Sequence, residues 1–338
     1  MKPILAITMG DPAGVGPEIT LKALQRPKLH KQARLMIIGS QPIMATVASQ
    51  LGLEMSFPKF GQQTEWESSP HHVPVYQVGQ LTPADYEMGQ VAAHTGRDSV
   101  AYVETAAALG RQGVIHAIVT APINKEAMRA AGVKYPGHTE ILGAAFASQV
   151  ETMFVVDKMR IFFLTRHLSL RAAIESISQE GLLSLLAHAR SVLGMMGIDQ
   201  PVIGVAGLNP HAGDGGLFGR EELDILQPAI AVAQARGWDV RGPVGADSIF
   251  HQALDGRYDA VISLYHDQGH IAAKTYDFNR TVSVTTGLPI IRTSVDHGTA
   301  FDIAGQGIAD ATNMIEAIKV AIVMTSRKPP SKREENAN

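Results

Sequence analysis

No cysteine occurs among the 338 residues, which excludes disulfides, iron–sulfur clusters and thiolate zinc sites. A reducing, cytoplasmic setting is the expectation that follows. No apolar run reaches the ~18 residues that a membrane-spanning helix needs, so no membrane partner is expected. The opening residues 1–8 hold too short an apolar stretch for a signal peptide. Charge of one sign is missing as well. The 29 Lys and Arg nearly balance 32 Asp and Glu, for a net charge of −3, and nucleic acid is therefore not an expected partner. Aromatics make up 6% and charged residues a modest 18%, and neither internal repeats nor low-complexity segments occur. Against these absences, 45% hydrophobic content is enough to fill a sizeable core. The length favours two domains or one elaborated α/β unit.

Short buried strands alternate with helices along the chain. Strands are predicted at 4–8, 35–38, 116–120, 202–206, 261–264 and 281–285, with one more within 73–78 in an otherwise irregular stretch, 56–86. A hairpin is expected from 153–156 and 160–165, turning at Asp157 and Lys158. Helices are predicted at 19–24, 43–51, 90–111, 141–147, 179–195, 220–236 and 312–325. Residues 242–248 read as a loop before a short helix. The Pro-, Lys- and Glu-rich end, 328–338, reads as a disordered tail. The fold class is therefore α/β with a mostly parallel sheet.

Polar chemistry collects where apolar strands end. Residues 261–264 run into Tyr265-His266-Asp267-Gln268-Gly269-His270, with Lys274 shortly after. Residues 161–164 lead to His167, and 202–205 lead to His211. Strand ends gather at one sheet edge, where ligands bind in open α/β folds. Three imidazoles there can converge on one divalent cation with open positions left for water or substrate. Taken singly, each histidine is more often a structural residue. Thr139 is placed to cap the helix after Pro136-Gly137-His138, leaving backbone N–H groups that suit an anion.

The chain resembles the 4-hydroxythreonine-4-phosphate dehydrogenase family over nearly its whole length. The matching motifs, in order, are MGDPAGVGPE (9–18), PINKE (122–126), PGHTE (136–140), NPHAG (209–213), YHDQGH (265–270) and GLPIIRTSVDHGTAFDIAG (287–305). The first and last are also similar to motifs of isocitrate and isopropylmalate dehydrogenases. The resemblance implies two α/β domains sharing a mostly parallel sheet core, within residues 1–327, and an active site in an interdomain cleft at a homodimer interface. It places His167, His211 and His266 on the metal ligands, drawn from both subunits, with Zn, Mg or Co as the ion. His138, Thr139, Lys274 and Arg292 fall on substrate contacts. Ser283 stands where that family usually has asparagine, and Arg166 where a small hydroxyl residue is expected. The His297-Gly298-Thr299-Ala300 segment, with Asp302, would hold NAD or NADP.

The implied reaction oxidises the 3-hydroxyl of a phosphorylated four-carbon acid and then releases CO₂ from the β-keto product. The first expectation for the substrate is 4-phosphooxy-L-threonine, on the route to vitamin B6. The second is 4-phospho-D-threonate or D-erythronate, which carry a hydroxyl in place of the amino group. Asp247 is a candidate base or orienting carboxylate, and a helix N-cap is its equal alternative. Two other classes differ in what they require. A metal-dependent phosphatase or aldolase would not need the 297–305 segment, and a non-catalytic binding protein would not need all three histidines.

Overall fold

The computed structural model describes residues 2–61 and 66–326; the tail at 328–338 lies outside them. The chain divides into two compact units. Unit 1 combines Met1–Val150 with Val282–Ser326, and unit 2 is Glu151–Thr281.

The first pass through unit 1 runs β1 (Ile4–Thr8), α1 (Gly16–Leu24), α2 (Pro27–Gln32), β2 (Arg34–Gly39), α3 (Gln41–Gln50), β3 (Val75–Gln77), α4 (Ala93–Arg111), β4 (Ala117–Thr120), α5 (Lys125–Ala130) and α6 (His138–Phe146). Proline at the first helical positions starts α1, α2 and α3, where a missing N–H costs nothing. Asn124 starts α5 by accepting from the N–H groups of Glu126 and Ala127. β1 lies between β2 and β4, with Ile7 opposite Ile37 and Val119. Covered on both faces, it reads as a continuous apolar run rather than an alternating one.

Unit 2 runs β5 (Glu151–Val156), β6 (Met159–Phe163), α7 (Leu170–Ser176), α8 (Gln179–Met195), β7 (Ile203–Ala206), α9 (Gln227–Ala235), β8 (Val240–Val244), α10 (Ala246–Leu254), β9 (Ala260–Ser263) and α11 (His266–Asp277). Its strand order is β5-β6-β9-β7-β8. All neighbours are parallel except the expected hairpin of β5 and β6. Phe154, Ile161, Phe163, Val261, Ile249 and Ala273 fill a core between these strands and the α10–α11 layer.

The chain then returns to unit 1 through β10 (Val282–Thr286), β11 (Ile291–Ser294) and α12 (Thr312–Thr325). β11 inserts parallel to β4, and β10 closes antiparallel on β11, giving the order β3-β2-β1-β4-β11-β10.

Three expectations need correction. Residues 242–244 are not loop but the end of β8, paired with β7 across a bulge at Gly204/Ala206. The helix at 220–236 is interrupted, because Glu222–Leu226 forms a π-helical turn before α9. Thr139 does not cap α6. His138 is already helical and Gly137 occupies the cap with an extended backbone, so Thr139 lies inside the first turn.

Candidate active site

Arg292 is the polar centre of unit 1. It sits on β11 opposite Ile118 of β4 and Thr285 of β10, and is only 4% exposed. Its Nε and Nη2 donate to Thr120 Oγ1 at 3.1 and 2.7 Å, and Nη1 donates to Thr285 Oγ1 at 2.8 Å. Thr120 in turn donates to Ser294 Oγ at 2.9 Å. Burial pushes the guanidinium down to about 10, and the charge of Glu140 opposes that. At neutral pH the group is still a cation, fixed by hydroxyls that bring no negative charge to offset it. A buried cation of this kind is poised for an anionic ligand.

His138 opens α6 beside this cation. Burial first, then the charge of Arg292, hold its imidazole well below the usual histidine range, against a hydrogen bond to the Ala121 backbone. Its Nε2 is shut off from solvent and has no partner among the described residues. A neutral ring serving the Ala121 backbone through Nδ1 leaves Nε2 as a lone-pair acceptor. Thr139 follows at the N-terminal turn, half-buried.

The loops 9–18 and 297–305 are packed together. Val15 N donates to Thr299 O at 3.0 Å, and a Cβ on Gly14 would lie 2.8 Å from both Thr299 Cβ and Thr299 O. Asn124 Nδ2 reaches Thr299 Oγ1 at 3.4 Å. His297 turns Nδ1 to Gly298 O at 2.8 Å, and its Nε2 is buried without a partner. Ala300 adopts φ +43°, and Asp302 is exposed. Beside Gly305–Gly307, a cavity of about 70 Å³ is lined by Gly14, Pro17 and Glu18. Glu18 Oε1 accepts from Ala309 N and Lys22, and Oε2 is buried without a partner.

In unit 2, His266 begins α11 and His167 follows β6 with φ +48°; their rings lie 5.7 Å apart. His266 Nδ1 is 2.7 Å from Asp267 Oδ1. A carboxylate can only accept, so Nδ1 donates to it, the arrangement that orients a metal-binding histidine. His270 stacks on His266 at 3.6 Å and 13°, backed by Phe154 and Phe163. The pocket here, about 280 Å³, is lined by Arg166, His167, Leu168, Tyr265, His266 and Asp267 among others. Arg166 is turned back to β5, donating to Glu151 Oε2 at 3.1 Å and to Thr152 Oγ1. Lys274, farther along α11, lies with Nζ 5.4 Å from the Phe278 ring centre.

His211 stands on a different loop. Residues 211–216 are consecutively left-handed, at φ +51, +53, +80, +42, +67 and +96°. Three of the six, His211, Ala212 and Asp214, carry a Cβ. At roughly 1–2 kcal/mol each, they store about 3–6 kcal/mol of backbone strain. Such strain persists only where surrounding contacts impose it. Among the described residues no three His, Asp or Glu side chains are close enough to hold an ion, so His167 and His266 are brought together and His211 is not grouped with them. The donor chemistry still fits a divalent ion, since His266 offers an imidazole oriented by the Asp267 carboxylate, beside His167. Asp247 is exposed in the first turn of α10, where Gly245 is the cap, so the N-cap alternative does not hold. Ser283 is half-buried on β10 opposite Ser294.

Several residues that matter here escaped the sequence reading. Thr120 and Thr285 fix Arg292; Thr120 lies outside the motifs, and Thr285 closes the segment that holds Ser283 without a role read for it. Gln268 lies within YHDQGH: its Oε1 accepts from Leu264 N at 2.8 Å and its Nε2 donates to Gly207 O at 2.9 Å, tying α11 to the loop that holds His211. Asp267 is in the same motif.

Unit 2 pairs two imidazoles at strand ends, and unit 1 holds a buried cation and a glycine-rich loop pair; with the comparisons that follow, the class is a dehydrogenase of a family acting on phosphorylated small molecules. Comparison with known proteins gives the particular family. The chain belongs to the family described as "Pyridoxal phosphate biosynthetic protein PdxA", whose model matches residues 31–321. That family implies a nicotinamide cofactor and a divalent metal. The chain is 47% identical over 321 residues to a protein of Halalkalibacterium halodurans named "Putative D-threonate 4-phosphate dehydrogenase", covering 95% of this chain and 96% of that one. A Fusobacterium nucleatum protein of the same name is 48% identical, covering 95% and 97%. A crystal structure of 4-hydroxythreonine-4-phosphate dehydrogenase from Klebsiella pneumoniae matches with TM-score 0.89 at 37% identity, covering 97% of this chain and 99% of that one. No helix among the described residues is long and apolar enough to cross a membrane.

Proposed function

We propose that the protein oxidises the C3 hydroxyl of 4-phospho-D-threonate with NAD(P)⁺, and that the 3-keto acid then loses CO₂ to leave dihydroxyacetone phosphate. The observation that carries the choice of substrate is Ser283. Asparagine offers both an acceptor and an NH₂ donor, whereas serine has one rotatable hydroxyl on a shorter stem. That loss removes a contact suited to an aminated substrate and leaves room for a hydroxyl. The names of the two relatives at 47 and 48% identity favour the same choice. The second reading, 4-phosphooxy-L-threonine going to 3-amino-2-oxopropyl phosphate in pyridoxine synthesis, is favoured by the family description and the Klebsiella structure.

Each proposed role follows from the local chemistry. Arg292 holds an anionic end of the substrate, fixed in direction by Thr120 and Thr285, and Lys274 adds a second positive point. Thr139 donates from the first turn of α6. His138, neutral with its free Nε2 acceptor, accepts a hydrogen bond from a substrate hydroxyl rather than clamping an anion. His167, His211 and His266 would hold a divalent metal, Zn, Mg or Co, which would supply Lewis-acid chemistry at the C3 hydroxyl. The 297–302 loop holds the nicotinamide cofactor through backbone groups, His297 and Thr299. Asp247 stays the weakest assignment, an exposed carboxylate available as a base.

A homodimer completes the metal set. Each of the three histidines is followed by exposed apolar side chains: Leu168 and Leu170 after His167, Leu217 and Phe218 after His211, and Ile271 after His266. Large apolar groups bare to water beside polar chemistry mark an interaction surface. A second copy covers them and supplies the donor that one chain does not gather.

The test is kinetics on both substrates side by side, with NAD(P)H formation as the readout. The expected result is a higher kcat/KM for 4-phospho-D-threonate. Ser283→Asn is expected to move the ratio toward the amino substrate by about 10- to 100-fold, the scale of ~1–3 kcal/mol for one buried hydrogen bond. An unchanged ratio, with metal content intact, would mean that Ser283 does not choose the substrate.

A further inference from the structure

The loop that carries His211 is left-handed along six consecutive residues, three of which carry a Cβ. Local backbone bonds close it, among them Ala212 N to Asn209 O at 3.1 Å, Leu217 N to Asp214 O at 3.3 Å and Phe218 N to Gly213 O at 3.2 Å. A further restraint comes from outside the turn, from Glu222. This carboxylate is 1% exposed. Its Oε1 accepts from Leu208 N at 2.8 Å and from Asn209 N at 2.7 Å, and its Oε2 accepts from Asn209 Nδ2 at 2.8 Å. Asn209 Nδ2 also reaches Glu221 Oε2 at 2.7 Å. Adjacent backbone N–H groups and the side chain between them are therefore fastened to one buried anion just before the turn begins.

The surroundings are shaped for that anion. A Cβ on Gly213 would come within 2.8 Å of Glu222 Oε2, and a Cβ on Gly219 within 2.3 Å of Asn209 Nδ2. Glycine at both positions lets the turn close over the carboxylate. Glu222 is also the first residue of the π-helical turn Glu222–Leu226. A wide turn of this kind, frequent at functional sites, displaces the side chains that follow relative to a regular helix. Burial works against the charge of Glu222, but the bonds from Asn209 and Leu208 outweigh it and hold the carboxyl below its ordinary range. It is an anion at neutral pH.

We propose that Glu222 is a positioning residue whose buried carboxylate fastens residues 208–209 and so imposes the left-handed turn that presents His211 as a metal donor. This rests on the reading of His211 as a ligand. It adds a residue outside the recognised motifs, and a reason for the strain at 211–216: the imidazole is aimed by a clamp two residues upstream rather than by bonds to its own ring. Released from that clamp, the turn relaxes toward right-handed conformations and the imidazole moves off its donor position.

The experiment is Zn²⁺ titration of the full-length protein after chelator treatment, comparing wild type, His211→Ala, Glu222→Gln and Glu222→Ala, with melting curves on each. Glu222→Gln keeps one oxygen for the two backbone N–H groups but turns an NH₂ toward the Asn209 amide. It is expected to fold and to weaken Zn²⁺ binding about 10- to 100-fold, the range for residues that orient ligands. Turnover is expected to recover at high metal, with kcat near wild type. Glu222→Ala is expected to bind still more weakly, and if it fails to fold, the Gln variant carries the test. A buried group with only a structural role lowers the melting temperature and leaves the Zn²⁺ Kd of the folded protein unchanged. A wild-type Kd in folded Glu222→Gln, alongside lost binding in His211→Ala, overturns this proposal alone. A wild-type Kd in His211→Ala overturns the ligand reading and this proposal with it.

Discussion

Asp11, in the first glycine-rich loop, offers a quantitative test of how unit 1 treats a buried charge. The residue is 0% exposed. Its Oδ1 accepts from Ala13 N at 3.0 Å, and its Oδ2 faces Thr95 Oγ1 at 3.5 Å. Burial pushes its carboxyl from the ordinary 3.8 up to about 6, against the bonds from Ala13 and Thr95 and the charge of His94. The sign follows directly. Below about pH 3 the group is protonated in folded and unfolded chains alike, and nothing is lost. As pH rises toward 6 the unfolded chain releases the proton and the folded one retains it, so stability falls. Above 6 the loss is constant, at roughly 3 kcal/mol for a difference of that size. Asp11→Asn has the same shape and no charge. Its oxygen keeps the Ala13 bond, and its NH₂ donates to Thr95 Oγ1. The variant is therefore expected to match wild type near pH 3 and to exceed it by up to about 3 kcal/mol at pH 7. Urea unfolding at several pH values between these limits measures the difference directly. A variant less stable than wild type at neutral pH, or a difference that does not change with pH, would refute the argument.

Thr120→Val keeps the shape but removes the oxygen that serves two Arg292 donors, so kcat/KM is expected to fall about 10- to 100-fold, on the scale of ~1–3 kcal/mol for unsatisfied buried donors. Thr120→Ser should recover most of it, and a Ser variant as weak as Val would show that the hydroxyl is not what matters. Removal of divalent metal with a chelator is expected to abolish turnover, and adding it back to restore it; full activity in protein shown metal-free by elemental analysis would remove the metal from the reaction.

The parts of the fold legible in the sequence are those where burial dictates composition. β1, β4, β7 and β9 are covered on both faces, so their residues form apolar runs that need no partner to be recognised. The hairpin at Asp157 was legible because its turn residues are local; Asp157 sits at φ +52° as the turn demands. The π-helical turn at Glu222 was not, since Glu222 is bonded to Leu208 and Asn209 on another segment, and spacing along one helix carries no trace of such bonds. β8 was hidden by Gly242 and Pro243, which read as breakers, yet the strand lies at the edge of its sheet, where proline is tolerated. Within the site, the residues that carry motifs stood out, and the residues that hold them did not. Arg292 lies in a recognisable stretch, but Thr120 acquires its role only because β11 is laid beside β4.

That placement has a consequence for how the protein is made. Thr120 and Arg292 are separated by 172 positions, and β11 fills the slot between β4 and β10. A ribosome releasing the chain from its N-terminus finishes all of unit 2 before it delivers the strand that completes unit 1. Until then β4 waits with one side bare, an open template for a stray strand. Nascent chains interrupted between the end of unit 2 and Arg292 therefore share one lesion, an unfinished sheet lacking its guanidinium. A truncation that removes β11 is thus expected to be far more damaging than the short length removed suggests.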